Sequence, residues 1–126
     1  FSKKLGCTTC HPGPNFTDYQ FHSLGLTQLD DADLGRYRIT LDSSDIGAFK
    51  TPTLRNVALT APYMHDGSIP SLDSVLNFFA QGGGEGVNRS SLIHPVDLKD
   101  HEKQALKAFL EALTDSSYFS SYALLP

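Results

Sequence analysis

The stretch GCTTCHPGP, residues 6–14, holds both cysteines of the chain, Cys7 and Cys10, and a histidine, His11, directly follows the second. What these three side chains bind decides the fold, because most of the remaining sequence is rich in turn formers. The chain has 126 residues, of which 40% are hydrophobic and 19% are charged. This is the size of one domain, so we expect residues 1–126 to enclose a single core or a single cofactor.

Three kinds of site use two cysteines at this spacing. A thioredoxin-like redox pair belongs in a strand–helix–strand setting, which the sequence does not indicate. A structural zinc ion needs four ligands, and no H-x₃₋₅-H pair near the motif is formed by the other histidines: His22, His65, His94 and His101. A c-type haem needs what is present, because one helical turn places both thiols at one porphyrin edge with His11 under the iron. The motif therefore predicts one covalent haem c, attached through Cys7 and Cys10, with His11 as the proximal ligand.

Two amphipathic helices are predicted. The first starts after the N-cap residue Ser71, stops near Gly82 and has apolar residues at helical spacing: Leu72, Val75, Leu76 and Phe79. The second is predicted to be capped by Asp97 and to carry an apolar stripe: Leu98, Ala105, Leu106, Phe109, Leu110 and Leu113. No stretch alternates clearly enough to predict a strand. The predicted fold class is therefore all-α, a cytochrome c-like haem domain whose long loops are ordered by a buried cofactor.

Charge and hydropathy exclude several classes of function. The net charge is −4 and the basic residues are scattered, which argues against a nucleic-acid surface. No apolar run approaches the roughly 20 residues of a membrane span. The acidic run at Asp30, Asp31 and Asp33 lacks the glycine and the closing glutamate of an EF-hand, so it favours a solvated turn.

The N-terminal stretch FSKKLGC reads as the end of a helix. Phe1 and Leu5 are predicted to lie in its last turn, which ends at Gly6. Because helices usually extend over about three turns, we expect the natural chain to begin further upstream.

Three longer segments resemble one known family. CTTCHPGPNFTDYQFHSLG, GAFKTPTLRNVALTAPYMHDGSIPSLDSVLNFF and EKQALKAFLEALT are similar to the C-terminal haem domain of bacterial di-haem cytochrome c peroxidases and MauG. The resemblance covers nearly the whole chain. It implies a periplasmic protein in which Cys7 and Cys10 are the thioether cysteines and His11 is the proximal ligand. It also implies that the backbone carbonyls of Thr60 and Pro62 bind a calcium ion between two haem domains, as carbonyl oxygens suit this hard cation.

The resemblance implies part of an enzyme, a haem c domain that transfers electrons in peroxide-dependent oxidation. The expected partners are an N-terminal haem domain, on the same precursor or a separate chain, a small redox donor protein and hydrogen peroxide. The alternative is a stand-alone mono-haem electron carrier without catalysis. A second haem motif separates the two hypotheses, and this chain contains only one.

The distal side of the haem is predicted differently by two arguments. In the family, a Met or Tyr ligand lies on the helix after HDGS, and counting along this sequence places Phe79 there. A phenyl ring cannot coordinate iron, so the resemblance implies a haem without the usual distal ligand, five-coordinate or with bound water. Spacing from the proximal histidine alone instead makes Met64, the only methionine, a candidate for His/Met ligation.

The remaining polar residues have weaker signals. Arg55 suits either a haem propionate or a surface salt bridge, because its planar guanidinium matches a carboxylate. His22 and His65 are the remaining candidates for a polar role near the haem, and for each a structural histidine is favoured over a ligand. His94 and His101 flank the last helix and are expected to face solvent.

Overall fold

The structure, a computed structural model, describes residues 4–115. Within this range the elements lie in the order α1 (Cys7–Cys10), β1 (Phe21–Ser23), α2 (Tyr37–Thr40), β2 (Ala48–Lys50), α3 (Leu72–Ala80) and α4 (Asp100–Glu111). Two short 3₁₀ helices lie at Ser43–Asp45 and Val57–Leu59. No helix in the described part is long and apolar enough to cross a membrane. Phe1 lies outside the described residues, and Leu5 lies in a turn before Gly6.

The all-α prediction is wrong, because β1 and β2 form a small antiparallel sheet. Phe21 pairs with Lys50, His22 with Phe49 and Ser23 with Ala48. Each strand has only three residues, too few to show the alternation by which a strand is recognised in a sequence. Gly35 also pairs with this sheet, through a parallel bridge to Ala48 of β2. The cytochrome c-like character of the prediction stands, with long loops joining short helices.

The helix α3 matches its prediction. The Ser71 hydroxyl accepts a hydrogen bond from the Ser74 N–H at 3.2 Å, which satisfies one of the free donors at the helix start. The helix ends at Ala80, and Gly82 follows with a φ of 93° that glycine adopts at little cost. Leu72 and Leu76 are buried.

The helix α4 begins later than predicted, because its N-cap is Lys99 rather than Asp97. The Glu102 carboxylate accepts a hydrogen bond from the Lys99 N–H at 2.8 Å. A side chain within the first turn thus satisfies a backbone donor at the helix start. Asp97 instead accepts one from the Lys99 ammonium at 2.6 Å. Ala105, predicted in the apolar stripe, is exposed.

The fully buried apolar core is small and lies where α3 packs against α4. Its members are five leucines: Leu72, Leu76, Leu98, Leu106 and Leu110. Leu5, Leu54 and Tyr63 pack against it and are only partly buried. The core thus joins the two longest helices, and it leaves the loops to be ordered by other contacts.

The acidic run that was predicted to form a solvated turn closes local turns with its carboxylates. Asp31 accepts a hydrogen bond from the Gln28 N–H at 2.6 Å, and Asp33 accepts one from the Gly35 N–H at 3.0 Å. Within the described residues, these aspartates belong to no cluster of three potential metal ligands.

A glycine-rich segment after α3 fixes the loop that follows β1. The Gly84 N–H donates to the Leu24 carbonyl at 2.9 Å, and the Gly86 N–H donates to the Gly25 carbonyl at 2.6 Å. The two backbones lie so close that a Cβ at Gly84 would overlap the carbonyl of Gly25. The φ of Gly84 is not in the left-handed region, so its backbone conformation does not require glycine. Glycine is required there because the backbone of Gly25 leaves no space for a Cβ.

We predict that Gly84→Ala lowers the free energy of unfolding by about 1–3 kcal/mol, as expected for overpacking against backbone that cannot yield. Gly13→Ala is the control, because a Cβ there meets nothing within 4 Å and costs only the strain of a positive φ. Denaturant titrations of both variants measure the difference. Equal losses in the two variants would contradict the close-approach explanation.

Candidate functional site

A cavity of about 460 Å³ occupies the space between the N-terminal motif, the small sheet and α3. Its wall includes Cys7, Cys10 and His11 on one side and Phe49 and Phe79 among its apolar residues. This volume is within the range of about 300–1,000 Å³ that is usual for cofactor and ligand pockets. The cavity therefore brings the motif side chains to a space with mostly apolar walls.

The two cysteines lie at opposite ends of the single turn α1, and both are half-buried and free of disulfide bonds. Burial raises the pKa of the Cys7 thiol, and burial together with the nearby Asp18 carboxylate raises the pKa of the Cys10 thiol. Both side chains are therefore thiols near neutral pH, the form that adds to the vinyl groups of a haem.

The imidazole of His11 is oriented by the backbone. Its Nδ1 lies 2.7 Å from the Phe16 carbonyl oxygen. A carbonyl can only accept, so we assign the proton to Nδ1, which leaves the Nε2 lone pair available to a metal. Burial lowers the pKa of His11, so the ring is neutral at physiological pH, the form that binds metals.

His22 and Asp18 form a pair that the sequence did not predict. His22 Nε2 lies 2.8 Å from the Asp18 carboxylate, and His22 lines the cavity. With Cys10 they form the one group of three potential metal ligands found in the described residues, whose ligand atoms lie within 4.8 Å of one another. The pair satisfies His22, as expected for a structural histidine. Only the i,i+4 spacing of Asp18 and His22 hinted at it.

His65 and His94 also line the cavity. The ring of His65 stacks on Phe49 with 3.8 Å between centroids and 18° between planes. His94 is solvent-exposed, as predicted, although it also borders the cavity. His101 is exposed on α4 and is not among the lining residues.

Phe79 and Met64 both line the cavity. Met64 has a φ of 75°, a left-handed conformation that costs free energy for a residue with a side chain. Tyr63 beside it is engaged, since its hydroxyl donates to the Val57 carbonyl at 3.1 Å. Burial raises the pKa of Tyr63, so this phenol is neutral.

Arg55 does not form the predicted surface salt bridge, because it makes no ion pair within the described residues. It is not among the residues that line the cavity, and its pairing with a haem propionate stays a prediction. Its Nε donates to the Pro14 carbonyl at 2.8 Å, and its guanidinium carbon lies 5.8 Å from the centroid of the Phe16 ring. A sequence shows charged partners more readily than backbone acceptors, which is why the prediction missed this contact.

Thr60 and Pro62 lie at the rim of the cavity and are both exposed. The Thr60 hydroxyl donates to the Val57 carbonyl at 3.0 Å. Two backbone carbonyls are fewer than the six to eight oxygens that calcium takes. These residues can supply part of a calcium site.

The residues present fit a c-type haem. Two thiols on one helical turn, an adjacent imidazole whose Nδ1 meets a backbone carbonyl, and a large cavity with mostly apolar walls are the features that this cofactor needs. Haem c would be held by Cys7, Cys10 and His11.

Ionisation of the Asp18 carboxyl makes the free energy of unfolding depend on pH. Burial alone would raise its pKa, but hydrogen bonds from His22, Gln20 and Thr51 outweigh this and lower the pKa to about 2. An unfolded aspartate has a pKa near 3.9. Because the folded pKa is the lower one, the stabilisation is present above pH ~4 and is lost as the pH falls towards 2.

We predict that Asp18→Asn removes this acid dependence. The variant should be less stable than the wild type at neutral pH and should converge with it near the folded pKa of about 2. Denaturant titrations at several pH values measure the difference, and Asp30→Asn, at an exposed loop position, serves as the control. A constant gap between Asp18→Asn and the wild type at all pH values would contradict the assignment.

Comparisons with known proteins agree with this fit. A family model described as RoxA-like, cytochrome c-like matches residues 48–80, which include much of the cavity wall. Cytochrome-c peroxidase IdrP1 of Pseudomonas sp. (strain SCT) is 37% identical, and the match covers 92% of this chain and 38% of that protein. Methylamine utilization protein MauG of Methylorubrum extorquens is 38% identical over 90% of this chain and 32% of its own length.

A solved structure shows the same fold. A MauG-like protein associated with microbial copper homeostasis superposes with a TM-score of 0.83 at 36% identity, covering 90% of this chain and 44% of that one. The chain thus spans well under half the length of the relatives it matches. In sequence and in fold, it is a cytochrome c-like segment that fits the family of di-haem cytochrome c peroxidases and MauG proteins.

Proposed function

We propose that residues 1–126 are one haem c domain of a di-haem peroxidase or MauG-like oxidoreductase, and that they transfer electrons in peroxide-dependent oxidation. The observation that carries this proposal is the meeting of Cys7, Cys10 and His11 at one wall of a large apolar cavity. The likeness to peroxidases and MauG over 90% or more of the chain supports it.

Each residue of the motif has a separate role. Cys7 and Cys10 hold the haem covalently at one edge, and His11 Nε2 is the proximal iron ligand. When bound, the haem supplies an iron that accepts and releases one electron. The Phe16 carbonyl holds the Nδ1 proton of His11, which keeps the ring in one orientation and makes it a stronger donor.

The apolar wall sets the environment of this centre. Leu72, Val75 and Leu76 of α3 line the cavity together with Phe49. An apolar, water-poor surrounding controls solvent access and tunes the potential of a metal centre. The protein thereby contributes binding, orientation and a low-dielectric surrounding to the electron transfer.

The complete enzyme needs further components. We propose an N-terminal haem domain as the companion, on the same precursor or a separate chain, with hydrogen peroxide as oxidant and a small redox protein as electron donor. A periplasmic location suits this chemistry and the covalent haem. We also propose that the carbonyls of Thr60 and Pro62 contribute to a calcium site completed by the companion domain; the exposure of both residues beside the cavity supports this.

The function is tested on the protein as its gene encodes it. We expect two haems and, on addition of hydrogen peroxide, oxidation of a reduced small c-type cytochrome. His11→Gln should lower this rate at least about tenfold. Loss of a residue that only supports a metal ligand already costs about that much, and His11 is the proposed ligand itself. His101→Gln, on the exposed surface of α4, is the control.

Two outcomes contradict the proposal. One is an equal rate in His11→Gln and His101→Gln. The other is a gene product with one haem that exchanges electrons with the small cytochrome and does not respond to peroxide. The second outcome would establish the alternative of a mono-haem electron carrier.

The distal ligand is proposed from the family resemblance, which places Phe79 at that position. A phenyl ring offers no donor atom, so we propose that the iron is five-coordinate or binds water, although Met64 also lines the cavity. The ferric protein should then be high-spin, and Met64→Leu should leave its optical and magnetic spectra unchanged. A low-spin spectrum with a near-infrared sulfur-to-iron band that Met64→Leu abolishes would contradict this and establish Met64 as the ligand.

A further inference from the structure

The loop that follows the haem motif presents three successive carbonyls to three side chains. Each carbonyl accepts one hydrogen bond: Pro14 O from Arg55 Nε at 2.8 Å, Asn15 O from Thr53 Oγ1 at 2.6 Å and Phe16 O from His11 Nδ1 at 2.7 Å. We name residues 14–16 the carbonyl loop. Two of its three donors come from the segment 53–55, and the third is the proximal histidine itself.

Thr17 and Asp18, which follow the carbonyl loop, also bind to the segment before Thr53 and to the haem motif. The Thr17 hydroxyl donates to the Thr51 carbonyl at 2.7 Å, and Thr17 is buried. The Asp18 N–H donates to the Cys10 carbonyl at 2.9 Å. The position of the loop relative to α1 is therefore set by contacts with a segment more than thirty residues away in the chain.

Phe16, which presents the last carbonyl, has a backbone conformation that needs such support. Its φ is 50°, in the left-handed region that residues with side chains rarely adopt. Conformations of this kind persist where the surrounding structure holds them. The Phe16 ring packs edge-to-face on Phe109 of α4, at 6.0 Å and 73°, and the guanidinium of Arg55 lies 5.8 Å away.

The consequence for His11 is chemical. A hydrogen bond from the far nitrogen of a ligating imidazole fixes its tautomer and ring plane, and it raises the basicity of the ligating nitrogen. The strength of that bond depends on where the acceptor oxygen lies. A shift of the carbonyl loop by a few tenths of an ångström would therefore alter His11 without touching it.

We propose that Thr53 and Arg55 are positioning residues for His11. By holding the carbonyls of Asn15 and Pro14, they aim the Phe16 carbonyl at Nδ1 and so set the orientation and donor strength of the imidazole. This rests on the proposed function, in which His11 Nε2 binds the haem iron. Arg55, expected from the sequence at a propionate or a surface acid, thus acts on His11 through the Pro14 carbonyl.

The test uses the haem-loaded protein and four variants. Thr53→Val and Arg55→Met each remove one donor, and Thr53→Ser keeps the hydroxyl. Thr53 itself lines the cavity and Arg55 does not, so Arg55→Met separates an effect through the carbonyl loop from a direct change of the cavity wall. Thr40→Val is the control for the loss of a threonine hydroxyl elsewhere, because the Thr40 hydroxyl donates to Asp45 at 2.8 Å. The readouts are the reduction potential and the haem methyl shifts in the NMR spectrum of the ferric protein with cyanide bound, a low-spin form in which these shifts report the plane of the His11 ring.

Thr53→Val and Arg55→Met should raise the potential and redistribute the methyl shifts, because a less basic imidazole stabilises the ferric state less. Thr53→Ser and Thr40→Val should match the wild type in both readouts. A lower melting temperature in Thr53→Val and Arg55→Met with unchanged potential and methyl shifts would make these bonds merely structural and overturn the inference. Failure of the wild type to incorporate haem would instead overturn the proposed function, so the two failures are distinguishable.

Discussion

The structure depends on the cavity that the CxxCH turn faces. Only six apolar residues of the described chain are buried, and five of them form one cluster around the contact between α3 and α4. Between residues 12 and 70 the helices and strands are only three or four residues long. Many residues of this part of the chain line the cavity. A filled cavity would supply the apolar contacts that the protein does not make with itself. A haem bound there would therefore be part of the core as well as the reactive group.

The same arrangement connects the fold to its chemistry. The loop after the motif folds back so that the Phe16 carbonyl meets His11, and the sheet formed by β1 and β2 presents His22 and Phe49 to the cavity. The segment from residue 51 to residue 65 supplies both cavity lining and the bonds that hold the carbonyl loop. Ligand orientation and cavity shape thus depend on one continuous stretch of chain.

The sequence predicts the two long helices from local spacing, but it does not show contacts between distant residues or the exact start of α4. The start of α3 follows from Ser71 and from leucines at helical spacing, which are neighbours in the chain. The sheet was missed because β1 and β2 are each too short to show a period, and they pair across more than twenty residues. The partner of Arg55 was missed because it is a backbone carbonyl, a group that every residue carries. The Asp97 cap was wrong because Glu102, inside the first turn, provides the competing bond.

The central claim is that Cys7 and Cys10 bind one haem covalently, and the mass of the intact protein tests it most directly. The chain should be produced with a c-type haem attachment system and measured in denaturant, where only covalent bonds survive. We predict the mass of the polypeptide plus one haem, and the bare polypeptide mass when both cysteines are replaced by serine. A bare polypeptide mass for the wild-type chain would contradict the account.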